Sequence, residues 1–134
     1  MDYRAMFKGD YISAVEFDGR TPTLTIATVK MARLPSLKHE GQEEDKGVIG
    51  FKETPRGMVV NRTNAECIAG MFGGNTDGWI GKRITLHAVK VPVGPKEELG
   101  IRIMGSPDLE RPVNVTVKLA RKKPRQMVMA VTKP

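Results

Sequence analysis

Apolar and polar side chains alternate in several stretches of the chain, and glycine or proline turns separate these stretches. The alternating stretches cover residues 11–17, 23–34, 47–52, 79–91 and 100–104. A period of two is typical of β-strands with one buried face. The second stretch is long enough that we expect it to bend or bulge near its middle. The pattern therefore predicts five strands, with polar loops over residues 35–46 and 92–99.

One segment between the third and fourth strands has the period of a helix. Its apolar positions recur three and four residues apart, at Ala65, Ile68, Ala69 and Phe72. Thr63 and Glu66 fit a capping box, which predicts that the helix begins at Asn64, and the glycines at 73–74 predict its end. Such a short helix is marginal in isolation. We therefore expect it to pack against the sheet.

The predicted order of strand, strand, strand, helix, strand, strand is that of an OB fold. In this mainly β architecture, one short helix between strands three and four plugs a five-stranded Greek-key barrel. Beyond the barrel, alternating valines from Val113 predict a further strand, and residues 127–131 either pair with it as a hairpin or form a tail. The predicted organisation is an N-terminal arm (1–10), the barrel (11–105) and a basic C-terminal extension (106–134).

Composition favours one globular domain, because 134 residues with 40% hydrophobic and 28% charged residues are ordinary for a folded, soluble protein. No apolar run approaches the roughly 20 residues that cross a bilayer, and the N-terminus lacks a signal-peptide pattern. We expect a cytoplasmic protein with no membrane partner. Cys67 is the single cysteine, which excludes an intrachain disulfide and a cysteine-rich zinc site.

No residue set in the sequence has the spacing of a catalytic or metal site. His39 and His87 lack a nearby carboxylate or cysteine partner. Glu43, Glu44 and Asp45 are contiguous, which is more typical of solvated charge than of a metal site. No glycine-rich phosphate loop occurs. We therefore predict a protein that is not an enzyme and that uses no metal or cofactor.

Positive charge is the main functional signal. Lys and Arg total 22 against 15 Asp and Glu, a net charge of +7, which raises the expectation of a polyanionic partner. A single cation is more often merely solvated, so the hypothesis depends on many of them sharing one face. The candidate nucleic-acid-binding cations are Lys30, Arg33, Lys52, Lys82, Arg83, Lys90, Arg102, Arg121, Lys122 and Lys123.

Aromatic residues, on which the bases of a single strand would stack, make up only 5% of the chain. Tyr11, Phe17 and Trp79 are the candidates. For Trp79, a position closing the core beside the short helix is favoured over exposed stacking. The basic segment 118–125 is either the turn of a hairpin or a disordered tail, and the valine alternation before it favours the turn.

Four segments, residues 59–65, 71–73, 76–86 and 100–103, include an Asn-x-Thr-Asn motif and a Trp-Ile-Gly-Lys-x-Ile motif. In these motifs the chain, over residues 11–105, resembles a family of small proteins encoded in bacteriophages and prophages. The resemblance implies an OB-type barrel similar to phage single-stranded-DNA-binding proteins, working in the host bacterial cytoplasm. Residues 127–134 depart from bacterial single-stranded-DNA-binding proteins, whose tail is acidic, so recruitment of replication partners by a tail is not implied.

Two functions of different classes remain open from the sequence. The first is non-catalytic binding of single-stranded DNA, with RNA as the other nucleic acid, during phage replication or recombination. The alternative is a protein-interaction, virion or assembly module that does not bind nucleic acid. A second copy of the chain, or another phage or host protein, is a further expected partner.

Overall fold

The computed structural model describes residues 10–36 and 39–134. Within these ranges the chain forms seven strands, one α-helix and two 3-10 helices. The elements are β1 (Thr23–Pro35), β2 (Glu43–Phe51), β3 (Met58–Val60), α1 (Arg62–Phe72), β4 (Arg83–Val93), β5 (Lys96–Ser106), β6 (Val113–Val117) and β7 (Arg125–Val131), with 3-10 helices at Ala14–Phe17 and Thr76–Trp79. None of the helices in these ranges has the length and apolar composition needed to span a bilayer.

The strands follow the order β3-β2-β1-β4-β5-β7-β6. All neighbours are antiparallel except β5 and β7, which are parallel. Strand β4 returns beside β1 after the β1-β2-β3 meander, which is a Greek-key arrangement. The prediction of a mainly β protein with one α-helix is confirmed. The helix lies between β3 and β4, but the strands before it differ from those predicted, because residues 11–17 are not a strand and the predicted third strand, residues 47–52, is β2. The described residues do not form the predicted closed five-stranded barrel. Their sheet has seven strands, and β3 and β6 are its two edge strands.

The first predicted strand, residues 11–17, is wrong. Tyr11 makes only an isolated bridge to Gly57, and the chain then turns into the 3-10 helix Ala14–Phe17. Ala14 and Phe17 are both buried, and their separation of three residues equals one 3-10 turn, so the helix buries both side chains on one side.

The β1–β2 hairpin is longer than predicted. Strand β1 continues to Pro35 and β2 begins at Glu43, so the acidic residues lie in a strand and not in a loop over 35–46. Asp45 pairs with Arg33 across the ladder, and their side chains are 3.4 Å apart. Opposite charges on directly opposed residues stabilise such a pair. The predicted irregularity in β1 is confirmed by a register shift between Ile26 and Thr28.

The β4–β5 hairpin also extends through a predicted loop. Strand β4 runs to Val93, a tight turn occupies Gly94 and Pro95, and β5 begins at Lys96. Every residue from 92 to 99 is exposed, so this part of the hairpin projects from the body of the protein. We call residues 92–99 the β4–β5 arm.

Helix α1 begins two residues earlier than predicted. Asn61 is its N-cap, and the Asn61 Oδ1 accepts the Asn64 N–H at 2.8 Å, whereas Thr63 is buried inside the first turn. Asparagine is among the strongest N-cap residues, so it takes the position that the capping box assigned to threonine. The predicted end is confirmed, because the Gly73 N–H donates to the Ala69 carbonyl and Gly73 has a φ of 97°.

The C-terminal residues belong to the same core as the rest of the sheet. Strands β6 and β7 form an antiparallel hairpin, which confirms the hairpin alternative over the tail. Val115, Val117 and Met129 from this hairpin are buried together with side chains of β1, β2, β4 and β5. Helix α1 lies against β6, where an added Cβ at Gly70 would come within 2.5 Å of Val115 Cγ2.

Candidate nucleic-acid interface

A cleft opens where β5 and β7 separate. The two strands pair only at Gly105–Ala130 and Ser106–Val131, near their C-terminal ends. Toward their N-terminal ends, two adjoining cavities of about 390 and 410 Å³ lie between β7 and the outer face of the β4–β5 hairpin, and both cavities are lined by His87, Arg125 and Met127. We call this continuous space the β5–β7 cleft.

The register of the β4–β5 ladder directs polar side chains into this cleft. His87 pairs with Arg102, and the next pair, Leu86 and Ile103, is buried in the core. Because successive residues of a strand point to opposite faces, His87 and Arg102 lie on the face away from the core. Thr63 from the first turn of α1 and Leu119 from the β6–β7 connection complete the wall above them.

Four cations line the cleft without a counter-charge. They come from three separate parts of the chain, as Lys90 of β4, Arg102 of β5, and Lys122 and Arg125 of the β6–β7 hairpin. The cleft residues include no aspartate or glutamate. In the part of the chain that the structure describes, none of the four forms an ion pair. The cleft is therefore an uncompensated positive site.

Burial strengthens this electrostatic imbalance. The pKa of Arg102 is lowered, first by burial and then by repulsion from Arg125. Its Nη1 donates to the Ile101 carbonyl at 2.9 Å, which holds the guanidinium at the edge of β5. The pKa of His87 is lowered by burial. Both shifts show that the site disfavours its own positive charge, which a bound anion would stabilise.

The β6–β7 connection positions Lys122. The Lys118 ammonium donates to the carbonyls of Leu119 and Lys122, and the Lys122 N–H donates to the Leu119 carbonyl at 3.2 Å. These contacts fold the basic segment into a compact turn that lies over the cleft. Arg121 and Lys123 are exposed on either side of Lys122 and do not line the cleft.

The remaining predicted cations lie elsewhere. Lys30 and Arg33 are three residues apart on β1 and therefore point to opposite faces, and Arg33 is paired with Asp45. Lys52 follows β2 and is exposed. Lys82 lies 5.9 Å from the centroid of the Phe72 ring. The single cationic face on which the hypothesis depended is therefore reduced to Lys90, Arg102 and Lys122 of the predicted set.

Arg83 is engaged within the protein. Its guanidinium donates to Asp108 Oδ1 from Nη2 at 2.6 Å and from Nε at 3.1 Å, and its backbone N–H donates to Asp108 Oδ2 at 2.8 Å. The Arg83 side chain lowers the pKa of Asp108 by hydrogen bonding, and the same bond raises the pKa of Arg83. This paired guanidinium is a poor candidate for phosphate binding.

Two of the three predicted stacking residues, Trp79 and Phe17, are buried. Trp79 is 5% exposed and its Nε1 donates to the Gly73 carbonyl at 2.8 Å, which confirms its position in the core. Phe17 is 8% exposed, so its ring faces are covered too. Tyr11 is partly buried, and its carbonyl accepts from Arg56 Nη2. No Phe, Tyr or Trp lines the cleft itself.

Sequence reasoning missed His87 and Arg125 as members of the site. His87 has no motif around it, and its alignment with Arg102 depends on the register of a hairpin that was expected to have a longer loop. Arg125 belongs to the basic segment, but only the fold of the β6–β7 turn places it beside β5. The sequence shows that this segment is basic, but it does not show which part of the protein the segment lies against.

The structure contains no cluster of three or more His, Cys, Asp or Glu side chains suited to a metal ion among residues 10–36 and 39–134. Comparisons of the chain with models of protein families, with curated proteins and with solved structures give no match. The function of the protein is therefore inferred from the geometry of the cleft.

Proposed function

We propose that this protein binds single-stranded nucleic acid, DNA in the first instance, along the β5–β7 cleft and without catalysis. The observation that carries the proposal is the convergence of Lys90, Arg102, Lys122 and Arg125 on a cleft with no carboxylate in its walls. Cations that follow a backbone supply most of the affinity for a polyanion, because binding releases condensed counterions.

The mixture of cations and apolar side chains in the cleft supports a single strand as the ligand. Phosphates lie against the cations, and the bases lie against the apolar side chains of Val89, Pro92, Leu119 and Met127. Because no Phe, Tyr or Trp lines the cleft, stacking contributes less than in proteins with such aromatic platforms. Binding is therefore mainly electrostatic and tolerant of sequence.

We also infer that β1 to β5 derive from an OB-type barrel. Their order, β3-β2-β1-β4-β5, is the order obtained when a five-stranded Greek-key ring is opened between β3 and β5. The position of α1 between β3 and β4 agrees with this interpretation. The β6–β7 hairpin is then an addition that provides one wall of the cleft.

The biological setting proposed is phage or prophage DNA replication or recombination in the host cytoplasm. It is supported by the resemblance of residues 59–65, 71–73, 76–86 and 100–103 to small phage-encoded proteins. The protein protects or presents the single strand there.

A salt titration of a labelled single-stranded oligonucleotide by fluorescence anisotropy tests the proposal. Each neutralised phosphate of a single strand contributes a slope of about −0.7 in log K against log salt, so four cations predict a slope of about −3. Arg125→Gln should weaken binding by roughly fivefold and reduce the slope by about one.

Lys30→Gln is the matched control, because Lys30 is exposed on β1 away from the cleft. It should leave affinity and slope nearly unchanged. If binding is not saturable at low salt, or if the affinity does not depend on the salt concentration, the proposed function is wrong.

A protein-interaction or assembly module is the second candidate function. The exposed apolar side chains of the β4–β5 arm favour it, since Val93 and Leu99 are each 48% exposed. Sedimentation of the protein alone and with oligonucleotide separates the two functions. Self-association that Leu99→Ser abolishes, together with no affinity for the oligonucleotide, would support the module.

A further inference from the structure

A second cavity adjoins the β5–β7 cleft on the other side of Arg102. It is a groove of about 360 Å³ between β3 and β5, the two strands that an OB-type barrel would bring together. Its walls are largely apolar and include Ile12, Val59, Leu99 and Ile101. We call it the β3–β5 groove.

One polar side chain in its wall has an unmet hydrogen-bonding capacity. Asn64 of α1 is 1% exposed, and its Nδ2 donates to the Ile101 carbonyl at 3.0 Å. That bond fixes the amide orientation, so Oδ1 is the acceptor. No donor among the described residues reaches this oxygen, which is buried from solvent.

A buried acceptor without a donor is unfavourable, because it has lost its hydration and gained no bond in return. Because Oδ1 is covered in the unliganded protein, a ligand N–H group in the groove reaches it only when the side chains at the mouth of the groove move aside, and it then recovers the missing hydrogen bond. The ligand must also be apolar on its faces, because Val59 and Leu99 are partly exposed at the rim.

The groove is continuous with the cleft. Arg102 and Val91 line both, and Thr63 of the cleft is next in sequence to Asn64 of the groove. A strand whose phosphate lies at Arg102 therefore has a base within reach of the groove. An extended polypeptide is the other candidate occupant, since β3 ends the sheet, but nothing ties such a segment to Arg102.

We propose that the β3–β5 groove is a nucleobase subsite that prefers a base carrying an exocyclic amino group, which donates to Asn64 Oδ1. This inference rests on the proposed function, because the strand must first be held in the cleft. It adds a modest base preference to binding that is otherwise directed at phosphates.

The test compares two short strands in which abasic nucleotides flank one central base, so that the two strands differ only at that base and no neighbouring base offers an N–H group. One carries adenine and the other carries purine, which has the same ring without the 6-amino group. The wild-type protein should bind the purine strand about tenfold more weakly, since one hydrogen bond to a buried acceptor is lost. The Asn64 side-chain amide resonances should shift with the adenine strand and not with the purine strand.

Asn64→Leu removes the acceptor, and in this variant the ratio of the two affinities should fall to about one. The comparison of the two strands with the wild-type protein does not depend on whether this variant folds, because only the ligand is changed. If neither strand binds, the proposed function itself fails. Salt-dependent binding with equal affinities and unmoved Asn64 resonances overturns the subsite alone and leaves the groove to a polypeptide partner.

Discussion

At the scale of single residues, partners decide which cations are available to a ligand. Arg83 and Arg102 are both strand arginines next to an isoleucine, and the sequence treats them alike. Asp108 neutralises Arg83, whose Nε and Nη2 both donate to its Oδ1, whereas Arg102 is half-buried and faces other cations. These two hydrogen bonds occupy guanidinium donors that would otherwise hold a phosphate. Arg102 is therefore the stronger candidate for binding.

His87 makes the proposed binding depend on pH. Burial lowers its pKa, so the imidazole is neutral near pH 7. The cations that line the same cavity are Lys90 on β4, Arg102 on β5, Lys122 in the β6–β7 turn and Arg125 on β7. A bound phosphate favours the charged imidazole and raises this pKa. Affinity should therefore increase as pH falls below about 6.5.

The rise in the His87 pKa on binding makes binding tighter at low pH, by the linkage between protonation and affinity. The measurement is oligonucleotide anisotropy between about pH 7.5 and pH 5.5. His87→Gln should flatten this increment, whereas the matched variant His39→Gln, in the β1–β2 loop, should retain it. An increment that persists in His87→Gln would assign the pH dependence to another group.

At the scale of elements, alternation predicted most strands and misplaced their ends. Residues 92–99 contain two prolines, which predicted a loop over the whole segment. The chain turns only at Gly94-Pro95, and β5 starts directly after this turn. The capping pattern found the helix but chose Thr63 over Asn61. Local signals identify an element, while hydrogen bonds to neighbouring strands set its length.

The parallel contact between β5 and β7 requires glycine at position 105. A Cβ there would overlap the Ala130 backbone of β7, which is a close backbone approach that only glycine permits. Gly105→Ala should therefore destabilise the protein by about 3 kcal/mol, at the upper end of typical overpacking costs.

Gly47→Ala is the matched control in the middle of β2, where the nearest atom to an added Cβ is Val60 Cβ at an ordinary 3.9 Å. It should change the free energy of unfolding by less than about 1 kcal/mol. Urea unfolding of both variants is the measurement. Similar midpoints for the two would contradict the tight β5–β7 contact that closes one end of the cleft.

At the scale of the whole molecule, the class of fold was predictable and the site was only partly so. Strand and helix order follow from periodicity within short segments. The cleft depends on contacts between β5 and β7, about 25 residues apart along the chain at Gly105 and Ala130, which no local pattern encodes. Lys90, Arg102 and Lys122 were identified as cations, but their convergence required the three-dimensional placement of the C-terminal hairpin.

The central claim is that the position of charge, and not the net charge of +7, produces binding. Two triple variants test it most directly. One replaces Arg102, Lys122 and Arg125 of the cleft with glutamine, and the other replaces Lys30, Lys52 and Lys133, which are exposed outside it. Each removes three positive charges, so the two proteins have equal net charge.

The measurement is the affinity of both variants for the same single-stranded oligonucleotide at low salt, after urea unfolding has shown that both are folded. We expect the affinity to fall by about a hundredfold in the cleft variant and by less than about threefold in the control. Equal losses in the two variants would contradict it, since the charge would then act without a defined site.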